Sequence, residues 1–222
     1  GIVSSYCVFK NNEIIRNIKN SDESSAYGSG IFTRGPSYIA NNIIKNTGIS
    51  TANDGEAICS ENYMGGIKIA GKVKDAESDR ITFDLFDDVS MTPNFDLTDS
   101  AYNKNYLVIT AGRGVGQYIP IKSYDETSGK IILERSFKIL PNKDSLFSVM
   151  PISENVIMYG NYAENCGKGF WLFADCIDCF VAENTGVNTE GILVWYLYKE
   201  DKTNNAYSNS VCYFTRIEKN YL

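Results

Sequence analysis

The stretch Asn42-Ile43-Ile44-Lys45-Asn46-Thr47-Gly48 decides the fold, because the chain repeats it. Related phrases occur at Asn161-Tyr162-Ala163-Glu164-Asn165-Cys166-Gly167 and at Phe180-Val181-Ala182-Glu183-Asn184-Thr185-Gly186. Each ends in a charged residue, an asparagine, a threonine or cysteine, and a glycine. Weaker copies stand at Ile14-Ile15-Arg16-Asn17 and at Ile217-Glu218-Lys219-Asn220. Self-similarity of this kind indicates a repeat protein.

The repeats predict a solenoid of short strands. A single repeat is too short to bury its apolar side chains, so stacked repeats must share one core. Asparagine tolerates the left-handed backbone of a tight corner, and its side-chain amide can bond the asparagine of the next coil. We therefore predict an all-β chain folded as a right-handed parallel β-helix. The alternative is a β-sandwich with ordinary Asn and Gly turns, which explains the abundance of these residues but not the repeated phrase.

One long segment interrupts the repeats. Between residues 63 and 150 the phrase is absent, and the sequence alternates as short strands do. The predicted strands are residues 66–70, 80–85, 106–110, 117–121, 130–133 and 145–149. We predict coils in residues 1–63, an inserted antiparallel β subdomain in residues 64–150, and further coils in residues 151–222. No polar capping segment follows Leu222, which favours a chain cut from a longer protein or an end covered by a partner.

Charge and composition restrict the partners. The formal net charge is −6, and the 21 lysines and arginines are scattered along the chain, which argues against nucleic acid. No apolar run is long enough for a membrane span. The hydrophobic fraction of 43% predicts an ordered chain with a sizeable core.

Histidine and cysteine usage restricts the chemistry. The chain has no histidine, which excludes histidine-based catalysis, and its six cysteines do not form a small secreted disulfide framework. Cys176-Ile177-Asp178-Cys179 has the spacing of half a zinc site, but no second Cys-x-x-Cys completes it. We expect buried thiols or a local disulfide there, with no metal and no cofactor.

The repeated phrases resemble the coils of right-handed parallel β-helix proteins of the pectin-lyase-like superfamily, over residues 6–62 and 151–222. That superfamily includes polysaccharide lyases, glycoside hydrolases, epimerases and phage tailspikes. The resemblance implies a bacterial or phage protein, extracellular or at a cell surface, with a polysaccharide as its partner. The chain departs from the polygalacturonase branch, because it lacks the Gly-His-Gly, Asn-Thr-Asp and Gly-Asp-Asp motifs. It also has no local motif of a pectate-lyase-like site.

An aromatic surface follows from strand alternation. If Ile31, Phe170 and Ile192 face the core, then so do Leu172 and Val194, and the residues adjacent to these in each strand face outward. The outward set is then Phe32, Trp171, Phe173, Asp175, Leu193 and Trp195. Aromatic rings on a rigid sheet suit the apolar face of a sugar, so we predict that Phe32, Trp171, Phe173, Trp195 and nearby Lys168 bind substrate. The alternative is that the inserted subdomain, or a second copy in a homo-oligomer, covers this surface.

Two acids near the aromatic surface are the predicted catalytic residues. Asp175 extends the aromatic strand, and Glu190 precedes the glycine that opens the next coil. Glycoside hydrolysis needs two carboxyl groups at a defined separation, whereas a lyase needs a base beside a charge-neutralising group. The sequence thus predicts a polysaccharide-binding protein that is a lyase or a glycoside hydrolase if it is an enzyme. A non-catalytic structural or adhesive β-helix segment, as in a surface protein or tailspike, is the alternative.

Overall fold

A computed structural model describes residues 2–4, 6–15, 29–47, 55–61, 66–87, 104–125 and 127–222. Arg16, Asn17 and Gly48 of the repeated phrases lie outside these residues. All regular structure in the described residues is β-strand, so they contain no helix that could cross a membrane. The chain packs as two compact units. We call them the coil unit (Gly1–Asn62, Ser153–Trp195 and Cys212–Leu222) and the barrel unit (Tyr63–Ile152 and Tyr196–Val211).

The described residues form 25 strands. Strands β1 to β13 are Ile2–Ser4, Cys7–Lys10, Glu13–Ile15, Ile31–Thr33, Ser37–Ala40, Ile43–Lys45, Glu56–Glu61, Ile69–Glu77, Arg80–Leu85, Asn105–Ala111, Tyr118–Asp125, Lys130–Leu133 and Leu146–Pro151. Strands β14 to β25 are Ser153–Glu154, Val156–Tyr159, Tyr162–Glu164, Lys168–Phe173, Cys176–Ile177, Phe180–Ala182, Thr185–Val187, Ile192–Trp195, Tyr198–Asp201, Ala206–Asn209, Cys212–Tyr213 and Arg216–Glu218.

The coil unit consists of parallel sheets. Its first sheet has the order β1-β4-β7-β17-β21, its second β2-β5-β15-β19-β25 and its third β3-β6-β16-β20. A short fourth sheet, β14-β18-β24, is also parallel. Consecutive strands such as β4, β5 and β6 enter the first, second and third sheets in turn, and the next coil repeats the order. The prediction of an all-β chain with stacked parallel strands is confirmed, and the fold is β-helix-like.

Apolar side chains from successive coils share one core. Ile31, Ile58, Phe170 and Ile192 are register partners along the first sheet, and the first three are fully buried. The same core takes side chains from the second sheet, including Met158. Because every coil adds one side chain to each row, no coil closes the core alone.

An asparagine ladder runs along one corner of the coil unit. In this ladder the side-chain Nδ2 of one asparagine donates a hydrogen bond to the side-chain Oδ1 of the next, with N···O distances of 2.8–3.0 Å. Its members in order are Asn12, Asn42, Asn161, Asn184 and Asn220. The same side-chain oxygens accept the backbone N–H of the preceding ladder residue. The predicted coil-to-coil asparagine bonds are therefore present.

The ladder corrects the alignment of the third phrase. Asn184 stacks on Asn161, the first asparagine of its phrase, whereas the sequence match placed it opposite Asn165. The residue stacked on Asn165 is Asn188, whose Nδ2 lies 2.8 Å from Asn165 Oδ1. The mismatch arises because Glu183-Asn184-Thr185-Gly186 imitates the last four residues of the first phrase while lying one corner earlier in its coil.

The barrel unit has its own core. Strands β8 to β13 close into an antiparallel barrel of order β10-β11-β12-β9-β8-β13. Five of them lie close to the predicted bounds, whereas β8 shares only Ile69 and Ala70 with the predicted strand 66–70. Its buried side chains, among them Ile69, Leu107 and Phe147, all come from residues 69–149. Between β10 and β11 a glycine-rich turn includes Gly112, where a Cβ atom would lie 2.5 Å from a backbone oxygen.

The hairpin β22–β23 belongs to the barrel unit. Ser208 Oγ lies 2.7 Å from Ser148 Oγ and 2.6 Å from Thr110 Oγ1, both on barrel strands. The barrel unit thus includes residues 196–211, which the sequence assigned to the coils. That residues 64–150 form a separate inserted domain stays a prediction.

Candidate functional site

The outward face of the first sheet carries the predicted binding residues. One register row contains Phe32, Cys59, Trp171 and Leu193. Two residues further along the strands, a second row contains Glu61, Phe173 and Trp195. We call this second row the open row, because all three residues are partly or largely exposed.

The aromatic rings on this face contact one another. The ring centroid of Trp171 lies 4.7 Å from that of Phe173 and 6.2 Å from that of Trp195, both edge-to-face. Lys168 Nζ lies 3.7 Å from the Trp171 centroid and 5.4 Å from that of Trp195. An ammonium at this distance from an indole is held by the ring quadrupole. The structure therefore brings Lys168, Trp171, Phe173 and Trp195 together, with Phe32 two strands away.

Burial differs strongly along this face. Trp171 is 6% exposed and Lys168 is 8% exposed, whereas Trp195 is 49% exposed. Strands β7 and β17 are buried on both faces over most of their length. The surface that a ligand can reach is thus the open row and its flanks, not the whole aromatic surface.

The predicted alternation holds in the middle of the sheet and fails at two positions. Ile31, Phe170 and Leu172 are fully buried in the core, as predicted. Val194 is 45% exposed, because β21 is an edge strand with β17 as its one partner in this sheet of the described structure. Asp175 is only 1% exposed, so the expectation that its carboxylate faces outward is wrong.

The structure does not bring Asp175 and Glu190 together. Asp175 lies two residues after the end of β17 and has a left-handed backbone, with φ 53°. Glu190 lies at the other end of the same strand, where its N–H donates to Gly167 O at 3.1 Å. Six residues of strand separate the two ends, about 17 Å at 3.3 Å per residue, well beyond the separation of a glycosidase pair. Their catalytic role stays a prediction.

Two acids on strand β7 were not predicted from the sequence. Glu61 is the register partner of Phe173, and Glu56, on the same strand, is the partner of Lys168. Burial first, and then the negative charge of Glu56, raise the pKa of Glu61 to about 7, although Arg34 opposes the shift. Alignment of Glu56-Ala57-Ile58 with Lys168-Gly169-Phe170 would have placed Glu61 opposite Phe173, and this signal was present in the sequence.

The basic group that faces Glu61 comes from the preceding coil. Arg34 follows Thr33, whose register partner Ser60 precedes Glu61. Its guanidinium carbon lies 5.4 Å from the Phe32 ring centroid. Glu56 is held from the other side, where Ser29 Oγ donates to Glu56 Oε2 at 2.8 Å. The face therefore combines aromatic rings with charges of both signs.

The cysteines are all reduced, and three of them meet inside the coil unit. Cys176 and Cys212 are register partners in the fourth sheet, and Cys179 shares their core. Hydrogen bonds with Cys179 and Cys212, and then burial, raise the pKa of Cys176 well above its usual range. Over the part of the chain that the structure describes, no group of three potential ligands has the geometry of a metal site.

Comparison with known proteins gives two distant structural matches. No family model matches the chain, and no curated protein matches it. The tailspike protein gp49 from Pseudomonas phage LKA1 is similar at 11% identity and a TM-score of 0.32, over 71% of this chain and 26% of that one. The Pseudomonas phage phi297 tailspike gp61 is similar at 9% identity and a TM-score of 0.31, over 87% of this chain and 42% of that one.

The chain thus spans about a quarter to two fifths of the length of these tailspikes. At TM-scores below 0.5, neither match assigns an activity to this chain. The class that the described residues define is an all-β protein with stacked parallel sheets and an antiparallel barrel.

Proposed function

We propose that this chain is part of a right-handed parallel β-helix protein that binds a polysaccharide along the open row of its first sheet. The stacked parallel sheets and the asparagine ladder support the β-helix. Membership of the pectin-lyase-like superfamily, a bacterial or phage source, and an extracellular or cell-surface location belong to the same proposal.

The observation that carries the proposal is the cluster of Lys168, Trp171, Phe173 and Trp195. Trp195 presents half of its surface to solvent. Its ring packs edge-to-face against the ring of Trp171, and the Lys168 ammonium lies 5.4 Å from its centroid. A large aromatic ring that is held rigidly and left open suits the C–H face of a sugar. The sheet keeps neighbouring residues of a row at the strand spacing of about 4.8 Å, so that successive coils present an extended binding surface.

The charges on this face favour a ligand with hydroxyl or acidic groups. Arg34 supplies a donor, Lys168 adds a positive charge near Trp195, and Glu61 supplies an oxygen that can accept from a hydroxyl. A neutral or acidic polysaccharide therefore matches the face. Nucleic acid does not, because the chain carries a net charge of −6 without a basic stripe.

A second candidate function is a structural or adhesive segment without an active site. The 6% exposure of Trp171 and the two-sided burial of β7 and β17 favour it, because much of the aromatic surface already serves packing. In that case the open row is an interface of a homo-oligomer or with the remainder of a longer chain.

Affinity electrophoresis against a panel of plant, algal and bacterial polysaccharides separates the two. The binding proposal predicts that one polysaccharide retards the wild-type chain and that Trp195→Ala and Phe173→Ala abolish the retardation. Tyr221→Ala is the matched control, because Tyr221 is exposed but lies outside the first sheet. Absence of retardation across the panel, together with a concentration-dependent dimer or trimer that Trp195→Ala dissociates, would establish the structural function instead.

A further inference from the structure

Glu61 is placed where a bound sugar would lie. It belongs to the open row, and its register partner Phe173 is followed in the same row by Trp195. A sugar stacked on Trp195 and Phe173 would therefore have the Glu61 side chain next to it, on the neighbouring strand of the same row. Glu61 is also the one acidic member of this row.

Burial and two charged groups set the electrostatics of Glu61. Glu56 lies five residues earlier on the same strand, and Arg34 comes from the preceding coil; the charge of Glu56 raises the pKa of Glu61 and the charge of Arg34 lowers it. Lys168, the charged residue of β17, is opposite Glu56 and has its Nζ over Trp171. Burial and the Glu56 charge outweigh the attraction of Arg34, so the carboxyl keeps its proton up to a pKa of about 7.

A second observation marks the same place. The indole N–H of Trp171 is buried and has no acceptor among the described residues, and Trp171 is 94% buried. Its register partner Cys59 lies two residues before Glu61 on the same face. A buried donor without an acceptor costs about 1–3 kcal/mol and is uncommon in a packed core, and this one lies next to the open row.

From this arrangement we infer that Glu61 is the catalytic general acid of a glycoside hydrolysis on the open row, and that Glu56 is the positioning residue that maintains its proton. The inference rests on the proposed polysaccharide binding and adds that the bound polysaccharide is hydrolysed. It replaces Asp175 and Glu190 by an acid that touches the reachable surface.

The step balances without a cofactor. The Glu61 carboxyl donates its proton to the glycosidic oxygen, and the bond between that oxygen and the anomeric carbon breaks. A solvent water adds its oxygen to the anomeric carbon and releases a proton, which returns to the Glu61 carboxylate. One carboxyl thus gives and takes back the proton in this step, where most glycoside hydrolases use a pair of carboxyl groups. Positioned proton transfer of this kind contributes about 10²–10⁴-fold to a rate, and it works best when the pKa of the acid lies near the working pH.

The test is the release of reducing ends from the polysaccharide that the binding panel identifies. Glu61→Gln keeps the size of the side chain and is expected to lower the rate by about 100-fold or more while binding is unchanged. Glu13→Gln, on the third sheet, is the matched control and keeps the wild-type rate.

Glu56→Gln tests the positioning role. Without the Glu56 charge the pKa of Glu61 falls, so the alkaline limb of the pH–rate profile moves to lower pH, a shift that a merely structural role would not produce. A thermal melt of each variant confirms that it is folded.

The contrary results are distinct. Binding without release of reducing ends, or a wild-type rate in Glu61→Gln, would overturn the inference and leave the proposed function intact. Products with an unsaturated end would also overturn it, because they show elimination without addition of water. Failure of every polysaccharide in the panel to bind would overturn both.

Discussion

Asn184 Oδ1 accepts two hydrogen bonds from Asn161, one from the side-chain Nδ2 and one from the backbone N–H, both at 2.9 Å. The Asn161 side chain also donates to Ile39 O and accepts from Asn42. Both residues are almost completely buried. The corner of each coil therefore satisfies its backbone through the side chain of the next coil, which fixes the register of the whole stack.

Substitution of Asn161, the central residue of this ladder, is expected to be severely destabilising. Asn161→Ala leaves the Asn42 N–H and the Ile39 carbonyl without these partners, and each buried unsatisfied group costs about 1–3 kcal/mol. We expect the free energy of unfolding, measured in urea, to fall by about 2–5 kcal/mol. Asn188→Gly is the control, because Asn188 bonds Asn165 at the protein surface and has a φ of 54° that glycine adopts freely. Equal effects of the two changes would contradict this role.

Glu61 predicts a pH dependence of stability. The folded chain holds a proton on a carboxyl with a pKa of about 7, whereas the unfolded chain releases it near 4.5. Between these two pKa values the folded state binds more protons than the unfolded state. The stability that the protonated Glu61 carboxyl contributes is therefore fully present below about pH 4.5 and is lost as the pH rises to about 7. Glu61→Gln should flatten this fall in urea titrations at closely spaced pH values, and Glu13→Gln should not. An unchanged slope in Glu61→Gln would show that the carboxyl titrates normally.

The three thiols inside the coil unit differ in reactivity. A hydrogen bond from Cys176 lowers the pKa of Cys212, although burial opposes this shift. We therefore expect Cys212 to react with iodoacetamide well before Cys176, because the thiolate is the nucleophile and Cys176 is fully buried. Cys176→Ala should slow the labelling of Cys212, as followed by peptide mass spectrometry. Faster labelling in that variant would mean that burial, not the hydrogen bond, controls the thiol.

Because the two units have separate cores, we expect the coil unit to fold without the barrel strands. None of the buried side chains that form the coil core comes from residues 64–150, and all of those in the barrel core do. Replacing residues 64–150 by a short Gly-Ser linker should leave a chain with a β-type circular dichroism spectrum and a cooperative melt. A non-cooperative melt would contradict the predicted insertion. A chain with Phe170→Ala in the same background is the control for loss of the coil core, since Phe170 is fully buried.

Most of the fold could be predicted because the residues that form its core and its corners recur in every repeat. A repeat with one lumen-facing apolar residue and one corner asparagine, as in Ile44 and Asn42, specifies both the core and the ladder. The position of Asn184 could not be predicted, because the phrase that contains it fits two registers equally well and only the ladder partner Asn161 separates them. Closure of the barrel depends on pairing between β10 and β13, which lie far apart in sequence, and no local pattern reports it.

The candidate site was predicted in part. The aromatic residues follow from alternation, and the structure brings Trp171, Phe173 and Trp195 into contact. The choice of acids rested on proximity in sequence to these rings, which placed Asp175 at a buried corner. Glu61 comes from a coil that precedes the barrel strands, so its approach to Phe173 depends on a register across more than a hundred residues of chain.

The most direct measurement uses the two tryptophans, both of which lie on the candidate face. Their indole N–H groups give two signals in a nitrogen–proton correlation spectrum, and Trp195→Phe assigns them. On titration with the polysaccharide fragment that binds, we expect saturable shifts of both signals, with the larger shift for Trp195, whose ring is exposed, and a smaller one for Trp171, whose ring contacts it. Binding that leaves both indole signals unmoved would contradict the central claim, because the ligand would then occupy another surface.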